Sequence, residues 1–305
     1  MNNKSAPFFI IVAASLWGVD GIVLRPVLYT LPVTLVVFIE STIVAVLLTP
    51  FMFKYFGKLK NLNWGDWLAF AGVALLGGAI GTMAITKALF YVNFVNLSIV
   101  ILIQKLQPVF AISLAAAYLK EKLPREFFWW AVLAITGAYF MTFGFHFPDL
   151  ANGDKTALAA LFSLLAAISF SSSTVLSKRA LKNVSYTMGT YLRFAFTSVI
   201  MLLIILVPGT ISSISEISGN QIWLFILIAF STGGPAIFLY YFGLKKISAS
   251  VSSICELSFP LTAVILEYFV HGNILGPVQW VGASVLLISI LRVTTIKAIP
   301  AKIVE

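Results

Sequence analysis

Residues 86–123 and 238–275 are two versions of one segment. The first reads TKALFYVNFVNLSIVILIQKLQPVFAISLAAAYLKEKL and the second FLYYFGLKKISASVSSICELSFPLTAVILEYFVHGNIL. This register sets Pro108 over Pro260, Gln104 over Glu256 and Ser98 over Ser250, and its backward extension sets Gly81 over Gly233. Two further stretches repeat at almost the same shift, about half the chain. Ala14–Leu28 lies over Ala167–Leu181, matching Trp17 with Phe170, Asp20 with Ser173 and Arg25 with Lys178. Phe38–Val44 lies over Tyr191–Thr197, which sets Glu40 against Arg193. A chain built this way folds as two related units that meet along a seam.

The surroundings of the repeat say which solvent the units meet. The 305 residues are 60% hydrophobic and 10% charged, with a mean hydropathy of +1.01. Soluble domains carry roughly 25% charged residues, and disorder has the opposite composition. The apolar runs also reach the length, about 20 residues, at which a helix crosses the hydrocarbon layer. The net charge of +9 therefore reads as basic loops on one side of a membrane, with no nucleic-acid partner. A single cysteine, Cys255, excludes an internal disulfide and a cysteine-based structural zinc site, and its apolar setting makes it a packing residue. The first apolar run, Phe8–Tyr29, is too long for a signal-peptide core and contains Trp17 and Asp20, so it reads as a retained span.

Breaks in the apolar pattern yield ten expected helices and an all-α integral membrane fold. The first five are Phe8–Tyr29, Val33–Phe53, Trp67–Tyr91, Phe94–Tyr118 and Phe127–Phe145. The second five are Ala157–Leu176, Tyr186–Val207, Ile222–Leu244, Ala249–Val270 and Val278–Val293. With the N-terminus inside, the inner loops receive Lys54, Lys58, Lys60, Lys120, Lys122, Arg125, Lys178, Arg179, Lys182, Lys245 and Lys246, against Arg25, Lys87 and Lys155 outside. That bias places both termini in the cytoplasm, in the cell's inner or plasma membrane. Because five is odd, the second unit (149–305) enters from the other side and is inverted relative to the first (1–148).

Ionisable groups inside such spans cost on the order of 2.5–3.5 kcal/mol each, so they mark candidate sites. Asp20, Glu40, Lys105, Arg193 and Glu256 lie within spans, with Glu267 nearer the outer face. On the fourth helix Asn93, Asn96, Gln104 and Gln107 trace one helical stripe, and its repeat partner carries Lys245, Ser248, Ser252 and Glu256. Two polar stripes on equivalent helices point to one shared cavity, with Gln104 and Glu256 as its central pair. Glu256 has two readings: a cavity group that binds an ammonium or exchanges a proton, or a structural partner of Lys105 or Arg193. Lys105 is read either as an ion pair with Glu40 or Asp20 or as a ligand for a substrate carboxylate, and Arg193 similarly. Asp20, beside Gly18 and Gly21, either approaches a ligand or pairs with Arg25. Trp17, Tyr91, Tyr191 and Tyr240 are candidates for stacking on a flat ligand. Trp64, Trp67, Trp129, Trp130, Trp223 and Trp280 fit an interfacial belt. Gly81, Pro108, Gly233, Pro235 and Pro260 are the hinge or close-packing candidates.

The combination resembles a known family. A small-residue run ends in Trp-Gly on the first helix and a basic residue follows. A proline stands in the fourth and ninth helices, and QPVFAISLAAAYLKEKL runs on to Lys-Glu. Together with two five-helix halves, these features resemble the EamA-type branch of the drug/metabolite transporter superfamily. The resemblance implies inverted halves, a central cavity, alternating access without ATP, no cofactor, and export of amino acids or other small metabolites, often coupled to protons. The sequence departs at Glu40, where relatives often carry Arg, and at Asn273, the counterpart of Glu121. The mixture of carboxylates and cations favours amino acids or related zwitterions. Sugars, nucleotide sugars or cationic drugs, taken up or exchanged, are the alternative. A channel lacks its usual ring of like residues, an enzyme lacks any catalytic motif here, and a monomer is the favoured state.

Overall fold

The computed structural model describes residues 5–91, 100, 103–147, 155–206, 211–271 and 275–296. Asn93, Asn96, Ser98, the linking Asp149 and Asp154, and Asn273 lie outside the described residues, as does the side chain of Glu267. The described residues are almost entirely helical, which is how a chain this apolar satisfies its backbone polar groups without water. We name the segments in order: α1 Ala6–Leu28, α2 Val33–Gly57, α3 Trp64–Ala88, α4 Gln107–Tyr118, α5 Arg125–Phe143, α6 Ala157–Ala180, α7 Tyr186–Ile205, α8 Gly219–Leu244, α9 Ala249–Leu266 and α10 Pro277–Val293. Eight of these are long and apolar enough to cross a membrane, while α4 and α10 are shorter apolar helices. Large apolar side chains such as Phe51, Leu203, Phe230 and Phe269 point outward, as a lipid-facing surface requires. Of the six belt tryptophans Trp64, Trp129, Trp223 and Trp280 are exposed near helix ends, whereas Trp67 and Trp130 are partly buried against the core.

Local signals set the boundaries. Asn63 accepts from the Asp66 N–H and Asp66 returns a bond to the Asn63 N–H, a capping box that opens α3. Ser218 and Gln221 do the same for α8, and Ser185 and Ser248 cap α7 and α9. Gly144, at φ 59°, ends α5 in the left-handed region that glycine adopts freely.

Three helices contain a wider π-type turn: Asp20–Leu24 in α1, Ala74–Ile80 in α3 and Ala229–Gly233 in α8. The last two contain or adjoin the repeat-related pair Gly81 and Gly233, so an irregularity in one half has its counterpart in the other. Pro235 lies in the first turn of the α-helix that resumes at Gly234.

Packing crosses between the halves. α1 lies against α8 and α9, α6 lies against α3 and α4, α2 against α7, and α5 against α10. Every pairing thus has its counterpart with the halves exchanged. Missing side chains make these approaches possible. A Cβ on Gly77 would strike Ser173, and one on Gly78 would strike Thr197. One on Gly243 would stand 2.7 Å from the Ala6 carbonyl oxygen, and one on Gly18 would stand 3.0 Å from that of Phe259. Between α5 and α10, a Cβ on Gly282 would strike the Met141 nitrogen and stand 2.8 Å from the Phe140 carbonyl carbon.

Backbone has no rotamer with which to give way. Gly282→Val is therefore expected to cost about 3 kcal/mol, the upper end for overpacking. Gly57→Ala, with open space around the new methyl, should leave the melting temperature in detergent unchanged.

Candidate functional site

The chain breaks just ahead of α4 and, within α9, a few residues ahead of Pro260. Residues 105 and 106 form a turn ahead of Gln107, and residues 256 and 257 form one ahead of Ser258. Proline has no N–H to return to the carbonyl four residues back. Pro108 therefore deprives Gln104, and Pro260 deprives Glu256, of the regular helical donor. The local chain tightens instead, with the Leu257 N–H reaching the Ile254 carbonyl at 3.1 Å and the Phe259 N–H reaching that of Glu256 at 3.0 Å. Each break is tied to the other half. Ser171 on α6 donates to the Gln107 carbonyl at 2.8 Å. Ser258 on α9 donates to the Ile11 carbonyl at 3.2 Å.

Between the breaks lies a cavity of about 600 Å³. It runs from Tyr29, Leu31 and Val33 at one end of the bundle inward to Glu256, with Trp17, Phe170, Phe259 and Tyr240 among its aromatic walls. Glu256 is the most heavily ligated of its polar groups. Its Oε1 accepts from the Tyr240 hydroxyl at 2.8 Å and from Ser252 Oγ at 3.2 Å, and its Oε2 accepts from Gln107 Nε2 at 3.3 Å. Tyr240 also meets Thr174 of α6 at 3.0 Å, and its ring lies 5.3 Å from that of Trp17. The carboxylate therefore joins α4, α8 and α9, and through Tyr240 also α6.

Both members of the predicted central pair, Gln104 and Glu256, line the cavity, but they are not bonded to each other. Gln104 lines the cavity, yet its amide donates to the Ser163 carbonyl at 2.9 Å. Gln107, on the same stripe, is the residue that reaches Glu256. The turn at Lys105 falls between the two glutamines, so a regular-helix stripe cannot tell which one faces the partner. Ser252 is fully buried and reaches the site only through Glu256.

The ion pairs also rearrange. Asp20 Oδ2 lies 2.6 Å from Arg25 Nη2, which lies 3.3 Å from Glu40 Oε2, and Thr232 donates to Asp20 Oδ1 at 3.2 Å. Of the two readings of Asp20, the Arg25 pair is therefore the one formed. In a regular helix five residues leave side chains roughly 140° apart. Here the π turn sends the Arg25 N–H back to the Asp20 carbonyl and brings both side chains to one face. The expected bonds from Lys105 to Glu40 or Asp20 do not form, because Arg25 already occupies both carboxylates. Glu256 has neither Lys105 nor Arg193 within ion-pair distance. Arg193 lies instead over the Tyr241 ring, 5.9 Å from its centre, with Nη1 3.5 Å from the hydroxyl.

Asp20, Glu40, Lys105, Arg193, Glu256, Trp17, Tyr240, Pro108, Gly233 and Pro260 all line the one cavity, whereas Gly81, Pro235 and Ser252 do not. Tyr91 stacks on Phe162 and Tyr191 packs on Phe56, so neither reaches it. Cys255 is buried in the core. Thr174, Thr232 and Arg25 join the site without having been singled out as ligand groups. Hydroxyls and an apparent interfacial arginine carry too little pattern in sequence to be found there.

The opposite end of the bundle contributes nothing to the cavity and is cross-tied. Lys120, at φ 55°, turns the chain so that Glu121 meets the start of α9. Glu121 accepts from the Ala249 N–H at 2.7 Å and from the Ser250 N–H and hydroxyl at 3.1 and 2.7 Å. Arg179 and Asn183 hold Asp66 at 3.2 and 3.1 Å, and Lys178 donates to the Leu244 carbonyl at 2.8 Å.

Breaking the Arg25 cluster leaves two buried carboxylates without their cation. Arg25→Met is expected to cost about 3 kcal/mol, the low end for a disrupted buried pair, since Arg25 retains some exposure. Thermal melting should show Thr232→Val, which removes one neutral donor, costing much less.

Known proteins are similar to this chain. The pattern of the EamA-like transporter family matches residues 4–143 and again residues 157–295. The riboflavin transporter ImpX of Fusobacterium nucleatum is 43% identical over 294 residues, covering 96% of this chain and 98% of that protein. The uncharacterized transporter YwfM of Bacillus subtilis is 32% identical over 64% of this chain and 62% of its own length. A protein of known crystal structure superposes with a TM-score of 0.75 over 96% of this chain and 97% of its own, at 15% identity, a likeness of fold alone. The twice-matched pattern and the near end-to-end relative establish that this membrane protein belongs to the EamA-like transporter family.

Proposed function

We propose that the chain is a secondary-active carrier of riboflavin or a closely related flavin. In this reading ten spans form two inverted five-helix repeats, 1–148 and 149–305, and the solute binds between them as they alternate. The observation that carries the reading is the 43% identity, across nearly the full length of both chains, to a riboflavin transporter. The cavity supports it. Its volume of about 600 Å³ lies within the roughly 300–1,000 Å³ of small-molecule sites. A tricyclic ring has Trp17, Phe170 and Phe259 to stack against, in the offset or edge-on arrangements aromatic rings prefer. A polyhydroxyl chain has Glu256, Gln107, Tyr240 and Thr174, which offer acceptors and donors in alternation. The amino-acid expectation, drawn from the mere coexistence of positive and negative side chains, gives way here. The Asp20, Arg25 and Glu40 charges are spent on one another, so they do not offer a zwitterion two free poles.

The excess of basic residues in the loops supports a cytoplasmic position for the cross-tied end, with Glu121, Asp66 and Lys178, and for both termini. In this reading the cavity opens toward the outer side, and the Glu121 cap on α9 closes the inner side. Gly81, Gly233 and Pro235 border the π turns that absorb bending, while Pro108 and Pro260 hold the two breaks open. A single chain, which holds the whole cavity, is the favoured working unit in this reading.

Proteoliposomes preloaded with unlabelled riboflavin should accumulate labelled riboflavin by counterflow, which a channel does not produce, and absence of that exchange overturns the reading. Glu256→Gln is expected to melt within a few degrees of the parent and to reduce counterflow at least tenfold, the size of a lost hydrogen bond to a charged group. An imposed pH gradient separates two uses of the residue. A variant that still exchanges riboflavin but no longer responds to the gradient assigns Glu256 to proton coupling, and loss of both assigns it to binding.

A further inference from the structure

Lys105 stands apart from every other charge in the cavity. Its side chain lines the cavity, the residue is 8% exposed, and it has no hydrogen bond or ion pair among the described residues. Each group that might have neutralised it is engaged elsewhere: Asp20 and Glu40 with Arg25, and Glu256 with Tyr240, Ser252 and Gln107. An ammonium in a largely apolar enclosure without a protein partner is costly, and Lys105, at the helix break of residues 105 and 106, borders the cavity. We propose that Lys105 is the specificity-determining donor for the electron-rich edge of the solute, which in a flavin is the carbonyl-bearing dione ring.

This assignment rests on the flavin reading and deepens it. The alternative acceptor of the same chemistry is a phosphate, as in a phosphorylated flavin. Charge balance argues for the neutral form. Asp20, Glu40 and Glu256 are matched by Arg25, Lys105 and Arg193 among the lining residues, so the cavity is formally neutral and a dianion would enter uncompensated. Glu256 and its three donors serve the hydroxyl-bearing chain, and Lys105 serves the ring. The two poles then fix which end of the solute faces which helix, and the aromatic walls provide contact area without direction.

The experiment is a set of flavin-fluorescence titrations of the purified full chain with riboflavin, with lumiflavin (the ring without the hydroxyl chain) and with flavin mononucleotide. The variants are Lys105→Met and Lys105→Arg. Lys105→Met should weaken riboflavin and lumiflavin by the same factor, about tenfold or more, as expected for losing a hydrogen bond from a charged group. Lys105→Arg should recover part of the loss. The unliganded Lys105→Met protein should melt no lower than the parent, because an apolar side chain replaces an uncompensated charge. Unchanged titrations overturn the assignment, as does a loss confined to flavin mononucleotide, which would make the acceptor a phosphate. A lowered melting temperature with unchanged affinity would make Lys105 structural. Parent protein that quenches with none of the three flavins defeats the flavin reading itself, whereas parent binding that Lys105→Met leaves intact defeats only the role of Lys105.

Discussion

Two missing backbone N–H groups, at Pro108 and Pro260, shape the centre of this protein. In lipid an unmet carbonyl costs several kcal/mol, so a helix keeps such a break only where other groups compensate. At the α9 break the Phe259 N–H reaches the Glu256 carbonyl in place of the missing donor, and at each break a serine hydroxyl ties the chain to the partner half. The interruption turns Lys105 and Glu256 out of the regular helical path at comparable positions in the two repeats. Cavity, polar cluster and inter-half ties all follow from it.

The second constraint is distance. Association between helices in lipid has little hydrophobic drive and depends on close packing. The glycines at 18, 77, 78, 243 and 282 leave room for a neighbouring backbone or side chain where a methyl group would not fit. Such contacts are made mostly between the halves. A carrier needs halves that pack tightly in each of its states yet can shift relative to one another. Smooth glycine-lined contacts and π turns suit that need better than interdigitated large side chains, which lock one arrangement.

Charge is distributed by the same logic. At one end of the bundle carboxylates meet helix starts and cations meet helix ends, as with Glu121 on α9 and Lys178 at the end of α8. In the cavity Arg25 serves two carboxylates, and one Glu40 oxygen is left buried without a donor. A buried cluster of this kind is weak evidence for stability and better understood as a feature retained for what the site does. Its position beside the Asp20–Leu24 π turn means that any change in the winding of α1 must also change the pairing of Asp20 with Arg25.

Composition and the repeat were enough to establish that the chain is helical, belongs in a bilayer and consists of two copies, and they singled out polar positions on the fourth and ninth helices that line the cavity. These properties depend on solvent preference and periodicity, which are local and additive along the chain. Tyr240 and Trp17 were legible as aromatic candidates, and Glu256 as the central acid, because an ionisable residue in an apolar run is conspicuous. The partners of these residues were not legible. Gln107 in place of Gln104, Arg25 as the cation that Asp20 and Glu40 share, and the isolation of Lys105 all depend on departures from 3.6-residue geometry at a π turn or a proline break. Such departures rotate side chains by large angles while leaving the sequence pattern almost unchanged. Only the packed structure, in which one cation's neighbours exclude another, decided which charges are paired among the described residues and which are not.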